Sequence, residues 1–334
     1  MPQQLQWYAS TLGHYVGAAV AIVALMWLTN RGLRRLGLRG DAAMGLALVV
    51  PWLLGFLIWN AGPIVASLYF SFTDYNVLQA PKVVGLANYE KLIGGDPNFW
   101  PSVRLTMAYS ALTVPIGLVG SVAAAIMLNQ GVKGIGLWRT LYYLPAILPA
   151  FVTALLWRLM FLPTRGGLVN SATEPIWSLF GDKPPGWFLD RDMLLWGFVI
   201  MSFWGVFGAN TVIVLAGLKN IPRDLYEAAS VDGAGVLARV RHITLPQLSP
   251  TLFYLIVMGI IAAVQVFDQP LFIQLPPGSP TFLNVYLYQQ GFTLFQMGYA
   301  SAIAWFMFVI ILVLTLAVFR SSTAWVYYES EAKR

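Results

Sequence analysis

Cysteine is absent from all 334 residues, which excludes disulfides, thiolate metal sites and a cysteine nucleophile together. Histidine occurs only at His14 and His242, too few and too far apart in sequence for a metal site. Charge is scarce as well. Asp, Glu, Lys and Arg make up 10% of the chain, against about 25% in soluble domains, so a water-facing surface could not be built from it. No lysine is followed by serine or threonine, so the phosphate-cradling G-x-x-x-x-G-K-[ST] loop is missing and a conventional P-loop ATPase is excluded. Nor do acids or histidines cluster at the spacing that a metal site or an activated nucleophile needs, which argues against a membrane enzyme.

What is present is hydrocarbon. Hydrophobic residues make up 58% of the chain. Crossing about 30 Å of lipid takes roughly 20 apolar residues, and such runs occur seven times, near 12–29, 43–70, 104–128, 140–161, 193–217, 251–273 and 300–319. The expectation is an all-α polytopic membrane protein with about seven transmembrane helices, surrounded by membrane lipids. No soluble domain fits between the spans, and no internal repeat is visible. The first run is expected to stay in the mature chain, because residues 1–13 carry no Lys or Arg and no small-residue cleavage pattern follows it. Arg31, Arg34, Arg35 and Arg39 come after it, so the positive-inside bias puts the N-terminus outside, and seven crossings return the C-terminus to the cytoplasm. On that threading thirteen of the twenty basic residues lie inside with six acids, seven basic residues and seven acids lie outside, and Asp268 falls within a span. The net charge of +6 is thus a matter of topology, and no nucleic acid is needed as a partner.

The longest polar stretch between two strong spans is residues 222–246, PRDLYEAASVDGAGVLARVRHITLP. Pro222 suits the first turn of a helix and Asp224 places negative charge near the positive end of the helix dipole, so a short helix is expected from about Ile221. Leu225, Ala228, Ala229 and Val236 recur at roughly helical spacing, and Ala228, Ala229, Gly233, Ala234 and Gly235 leave one side almost without bulk, as a docking face requires. Gly233 and Gly235 weaken the helix, while Pro246 and Pro250 are expected to prevent a simple run-on into the next span. On physics alone an amphipathic connector lying on the membrane surface fits equally well. However, Glu227, Ala228, Ala229, Gly233, Ile243, Leu245 and Pro246 match in residue and spacing, and the stretch resembles the EAA loop of ABC importer permeases. The resemblance implies that this loop is the coupling helix, seated in a cleft of a separate ATP-binding subunit.

Other phrases resemble the carbohydrate uptake group of those permeases, the maltose, glycerol-phosphate and oligosaccharide transporters: GLxNY at 85–89, RTLYYLP at 139–145, GLVN at 167–170, QVFD at 265–268 and MGYASA at 297–302. The chain departs from that group at QLPPGSP, 274–280, where many relatives carry a Thr and Gly-Gly-Pro phrase. The resemblance spans roughly residues 45–320. It implies an extra N-terminal helix and basic linker over 1–40, a permease domain of six core helices over 41–320 with its coupling helix at 222–246, and a cytoplasmic tail over 321–334. It further implies a bacterial or archaeal plasma membrane, a second permease subunit, two ATP-binding subunits carrying the ATP and Mg, and an extracytoplasmic solute-binding protein. This chain itself would bind no cofactor.

Four spans hold features beyond greasiness. The second, interrupted by Pro51 and Pro63, is expected to be long and kinked, and the fourth carries Pro145 and Pro149 inside it, which places it against the bundle interior. In the fifth, Gly205, Gly208 and Ala209 permit close packing, while Trp204 and Asn210 need polar partners or a wet cavity. In the sixth, Asp268 lies about 27 Å beyond Thr251 at 1.5 Å per residue, Gln265 shares its face, and Gln269 is adjacent. Such a patch is either a helix-to-helix hydrogen bond, to Asn210 or Tyr109, or the lining of a path. The resemblance favours the path, in which Gln265, Asp268 and Gln269, with Asn210 and Trp204 opposite, bind sugar hydroxyls. The rival reading is a secondary transporter or channel in which Asp268 carries protons or cations; such folds show inverted repeats and several intramembrane charges, and this chain shows one clear acid. The loop 163–192 is either a contact for an external partner or a cap over helix ends.

Overall fold

The computed structural model describes residues 2–130, 134–163, 166–273 and 275–327. Lys133, Arg165, Gln274, Lys333, Arg334 and the rest of the tail beyond 327, on which parts of the charge and loop readings rest, lie outside the described residues. The architecture is all-α; its one sheet among the described residues pairs Thr73–Asp74 with Lys82–Val83. Five helices are long and apolar enough to cross a membrane, Thr11–Arg35, Gly40–Ser71, Phe99–Leu128, Val236–Phe272 and Met297–Ser322. Two bent pairs, Ile135–Ile147 with Ala150–Met160 and Arg191–Gly205 with Gly208–Lys219, bring the number to seven if each pair is one span.

The chain forms two compact units, Met1–Phe70 and Ser71–Arg334. In the first, the helix Pro2–Arg35 ends in a turn where Gly37 takes φ 86°, and Ala43 and Ala47, fully buried and one helical turn apart, face the neighbouring helix. Small side chains at that spacing let two helix backbones come close. The other side of the second helix is greasy and open, with Trp52 67% and Trp59 80% exposed. The helix runs on past Pro51 and through a π turn at Leu57–Ala61 that precedes Pro63, so it is long, as its composition requires.

The second unit is built on the long helices Phe99–Leu128 and Arg191–Lys219, with Leu245–Val264 packed on both. Its apolar contacts fall into three cores. One is aromatic and joins Tyr109, Trp157, Phe161, Trp187, Phe188, Phe198 and Phe282; a second joins Phe99 and Leu92 to Leu283, Tyr286, Tyr299 and Ile303; the third joins Ala125, Val214, Leu218 and Ile221 to Leu248 and Leu255. Fully burying one such aliphatic or aromatic side chain is worth about 1.5–3 kcal/mol.

Two spans differ from the sequence expectation. The fourth is two helices meeting at 98°, because the residue before a proline is pushed out of the helical region: Leu148, ahead of Pro149, sits at φ −67°, ψ 134°. Pro145, by contrast, is tolerated inside the first of them. The sixth span is interrupted within Val236–Phe272: its regular helix pauses after Val264, Phe267 takes φ −139°, ψ −55°, and a five-residue helix resumes at Asp268. Helical spacing therefore does not carry from Gln265 to Asp268, and the shared face and the depth counted along one helix do not apply. The fifth span bends by 47° between Gly205 and Gly208. A Cβ at Gly208 would come within 2.8 Å of the Ala146 Cβ, so the glycine there is needed for helix packing.

The loop 163–192 is a cap rather than a bare connector. It contains a helix, Leu168–Leu179, which its Pro175 and neighbouring turn residues conceal from a sequence reading. Trp187 stacks on Phe161 at 4.9 Å and closes the aromatic core.

Candidate functional site

The stretch 222–246 folds as a helix, a turn and a second helix. Pro222 occupies the N-cap rather than the first turn, so the helix runs Arg223–Val231, two residues later than the expected start, with Asp224 in its first turn. It ends in a Schellman motif: the Ala234 N–H donates to the Ala229 carbonyl at 2.9 Å, the Gly233 N–H to the Ser230 carbonyl at 3.2 Å, and Gly233 takes φ 76°. Gly233 is thus required by the left-handed turn, since a Cβ there would meet nothing within 4 Å. Glu227 and Ala228 are exposed and Ala229 is half-buried. Sequence reasoning passed over Val231 and Leu237, which are 88% and 81% exposed and, with Val236, add an apolar rim to that small-residue face. The signal was available, since isolated large apolar side chains in a polar loop have no core to fill.

Pro246 and Pro250 do not stop the second helix, contrary to expectation. Val236–Arg239 continues through a π turn, Val240–Thr244, directly into Leu245–Val264. Within that turn the Leu245 N–H reaches back five residues to the Val240 carbonyl, and Pro246, which has no N–H to give, follows at the start of the regular helix. Ile243 packs half-buried against the third core, while Leu245 is 38% exposed and Pro246 half-buried.

Between Phe99–Leu128, Arg191–Lys219 and Leu245–Val264 lies a half-open cavity of about 370 Å³. Tyr109, Thr113, Ser202, Asn210 and Gln269 supply its polar groups, set among Val114, Leu255, Met258 and small residues. Among the described residues its lining holds no acid, lysine, arginine or histidine. Of the five residues read from sequence as path-lining, it gathers Asn210 and Gln269. Trp204 packs edge-on against Trp157 at 5.9 Å in the aromatic core. Gln265 and Asp268 are exposed at the break between the two helices, where the Gln265 carbonyl accepts from Asn284 Nδ2 at 2.9 Å. Tyr109 was considered in the sequence only as a hydrogen-bond partner for the polar patch; it lies in the wall beside Ser202, whose Oγ donates to the Val199 carbonyl at 2.8 Å. A polar stripe spread over three helices has no local pattern to betray it.

With these features in place, residues 116–326 match the family described as binding-protein-dependent transport system inner membrane component. The chain belongs to that family. It is the membrane-spanning permease subunit of an ABC importer, a transport component whose ATPase is a separate subunit. Among its relatives, YesP of Bacillus subtilis (strain 168), a probable ABC transporter permease protein, is 40% identical over 88% of this chain and 95% of its own. The arabinooligosaccharides transport system permease protein AraP of the same organism is 32% identical over 80% of this chain and 84% of its own. In fold the chain resembles a permease of a bacterial alginate ABC transporter solved in complex with its alginate pentasaccharide-bound periplasmic protein, with a TM-score of 0.72 at 23% identity, over 83% of this chain and 93% of that one.

In this permease the phrases that drew the sequence comparison prove to be structural joints. In GLxNY, Gly85 takes φ 62°, Asn88 Nδ2 donates to the Ser71 and Thr73 carbonyls at 3.0 and 2.9 Å, and the Tyr89 hydroxyl donates to Ser71 Oγ. In GLVN, Asn170 is 3% exposed, donates to the Leu162 and Pro185 carbonyls and accepts from Trp187 Nε1 at 2.6 Å. At the end of Phe99–Leu128 opposite residues 222–246, Asp96 accepts from the hydroxyls of Tyr286, at 2.5 Å, and Tyr299, and from the Asn98 N–H at 2.9 Å. Lys91 lies 4.0 Å from the Tyr299 ring centre and donates to Gln296 Oε1. Burial pushes the Asp96 carboxyl up, but the two tyrosine hydroxyls, the Asn98 N–H and the Lys91 charge outweigh it and hold it below the usual carboxylate range. The Tyr286 hydroxyl is pushed up, by burial first and then by the carboxylate it donates to.

Proposed function

We propose that this permease forms, with a second permease, the path for an oligosaccharide or related polyhydroxylated solute, delivered by an extracytoplasmic binding protein and driven by two ATPase subunits that carry the ATP and Mg. The observation that carries the solute class is the uncharged cavity. Its hydroxyl, amide and phenol groups suit a neutral ligand rich in hydroxyls, and about 370 Å³ lies within the range of small-molecule sites. Ion or proton coupling would place an acid in the wall, whereas Asp268 is exposed and outside the lining. AraP's relation to arabinooligosaccharides and the alginate transporter's bound pentasaccharide support the same class. Tyr109, Ser202, Asn210 and Gln269 are the binding groups in this reading; Trp204 backs the wall, and Gln265 and Asp268 belong to the approach.

The docking surface is the exposed face of Arg223–Val231 and the turn after it, with Glu227, Ala228, Gly233 and the apolar Val231, Val236 and Leu237 meeting the ATPase subunit. Ala229, Ile243, Leu245 and Pro246 hold that face in place from behind and from the following helix. The domain limits at 40 and 320 and the basic segment 31–39 belong to the same assembly, with the docking loop in the cytoplasm.

The test is uptake by the assembled complex in vesicles, offered labelled arabinooligosaccharides, maltose and a glycerol phosphodiester. Asn210→Ala and Gln269→Ala each remove hydrogen bonds of about 1 kcal/mol net, so uptake affinity falls several-fold for the transported compound while basal ATP hydrolysis persists. Unchanged kinetics in the double variant would place the path elsewhere.

A further inference from the structure

We propose that two side-chain bonds clasp the docking helix to the helix that follows it, so that both move as one lever, and that Tyr226 and Thr244 are its positioning residues. The proposal rests on the docking reading above. The Tyr226 hydroxyl lies 3.0 Å from Thr244 Oγ1, and Arg239 Nη1 donates to Ser230 Oγ at 3.0 Å. Ser230 in turn donates to the Tyr226 carbonyl at 2.7 Å. Thr244 is 4% exposed, and the Tyr226 ring packs against the Leu218, Ile221 and Leu248 core.

The clasp matters because the covalent joint is loose. Residues 232–235 hold two glycines and are largely exposed. Their backbone bonds run back into the first helix, from Asp232 to Ala228 and through the Schellman pair, or forward into the second, from Arg239 to Gly235, and among the described residues none joins the two helices directly. A push on the docking helix alone would be spent in rotation about that joint. The two bonds stop the rotation by tying positions one turn apart on the first helix, 226 and 230, to 244 and 239 on the second. Positions five apart on a regular α-helix point about 140° away from each other. The π turn at Val240–Thr244 reduces that mismatch: its extra residue per turn brings 239 and 244 towards one face, where Thr244 Oγ1 also approaches the Arg239 carbonyl at 3.4 Å. The same helix runs without a break from this clasp to the cavity, where Leu255, Met258, Gly259, Ala262 and Ala263 form one wall. The π turn thus has a use that a plain surface connector would not require.

The chain has no cysteine, so spin labels can be placed at will. A pair at Val119→Cys and Tyr254→Cys, both on exposed positions of neighbouring helices, reports the cavity wall by distance measurement in the full complex, with the non-hydrolysable ATP analogue AMP-PNP and Mg as the probe. We expect a nucleotide-driven distance shift in the parent clasp. In Thr244→Val and Tyr226→Phe the shift falls by more than half, the double variant is no worse than either single, Thr244→Ser retains the shift, and the ATPase subunits still co-purify. A full shift in Thr244→Val overturns the proposal. So does a loss in Thr244→Ser equal to that in Thr244→Val, which would assign the effect to packing. Absence of any shift in the parent clasp, with ATPase retained by Ala228→Arg, overturns the docking reading instead.

Discussion

Gly233 shows how a residue can match a motif for one reason and be needed for another. The sequence singles it out as lack of bulk on a docking face, whereas in the fold it is the left-handed residue that closes the 223–231 helix, with open space where its side chain would be. Forcing a branched side chain into that conformation costs about 1–3 kcal/mol, so Gly233→Leu should misplace the turn and abolish uptake by the complex. Gly233→Asn, which the left-handed region tolerates, should keep most of it. Uptake equally lost in both variants would return the requirement to bulk at the ATPase surface. Gly208 is the opposite case, where the sequence argument from small residues and helix packing agrees with the 2.8 Å approach to Ala146. Gly205, which the sequence groups with it, has nothing within 4 Å and lines the cavity instead. One-dimensional spacing shows that a glycine matters, and only the neighbours show why.

At the level of elements, composition and length placed the five long apolar helices and the two bent pairs, because crossing lipid demands a run that cannot be disguised. The breaks inside them were less legible. Pro149 ends a helix and Pro145, four residues before it, does not; Pro246 and Pro250 lie in a helix that a π turn prepares for them. The clasp around Asp96 was not legible at all, since its partners come from helices at the far end of the chain. Its pH behaviour follows from the sign of its shift. The folded carboxyl titrates below its ordinary value of 3.8, so the clasp contributes fully at neutral pH and is lost as pH falls below that value through the folded one. Asp96→Asn should therefore lower the thermal stability of the purified complex at neutral pH. That deficit should shrink as the pH is taken down towards about 3. A deficit that is constant, or that grows in acid, would contradict the assignment.

For the whole molecule, the positive-inside bias on Arg31, Arg34, Arg35 and Arg39, taken with the proposed seven crossings, predicts an N-terminus outside and a C-terminus inside. A membrane-impermeant label on a cysteine introduced at residue 2 should react from outside in intact cells; reaction only after the cytoplasmic side is opened would reverse the topology or remove one crossing. Fold class and family were readable because they rest on local runs and fixed spacing, as does the proposed docking loop, while the cavity and the clasp are made by residues that only packing brings together. That distance in sequence has a further meaning for how the protein is made. Asp96 precedes its partners Tyr286 and Tyr299 by 190 and 203 residues, which at about 5–20 residues per second is roughly 10–40 seconds of translation. For all that time the carboxylate waits without them, and it is secured only when the last span arrives. These bonds therefore form only after Tyr286 and then Tyr299 have been made, and until then the Asp96 carboxylate lacks both tyrosine hydroxyls.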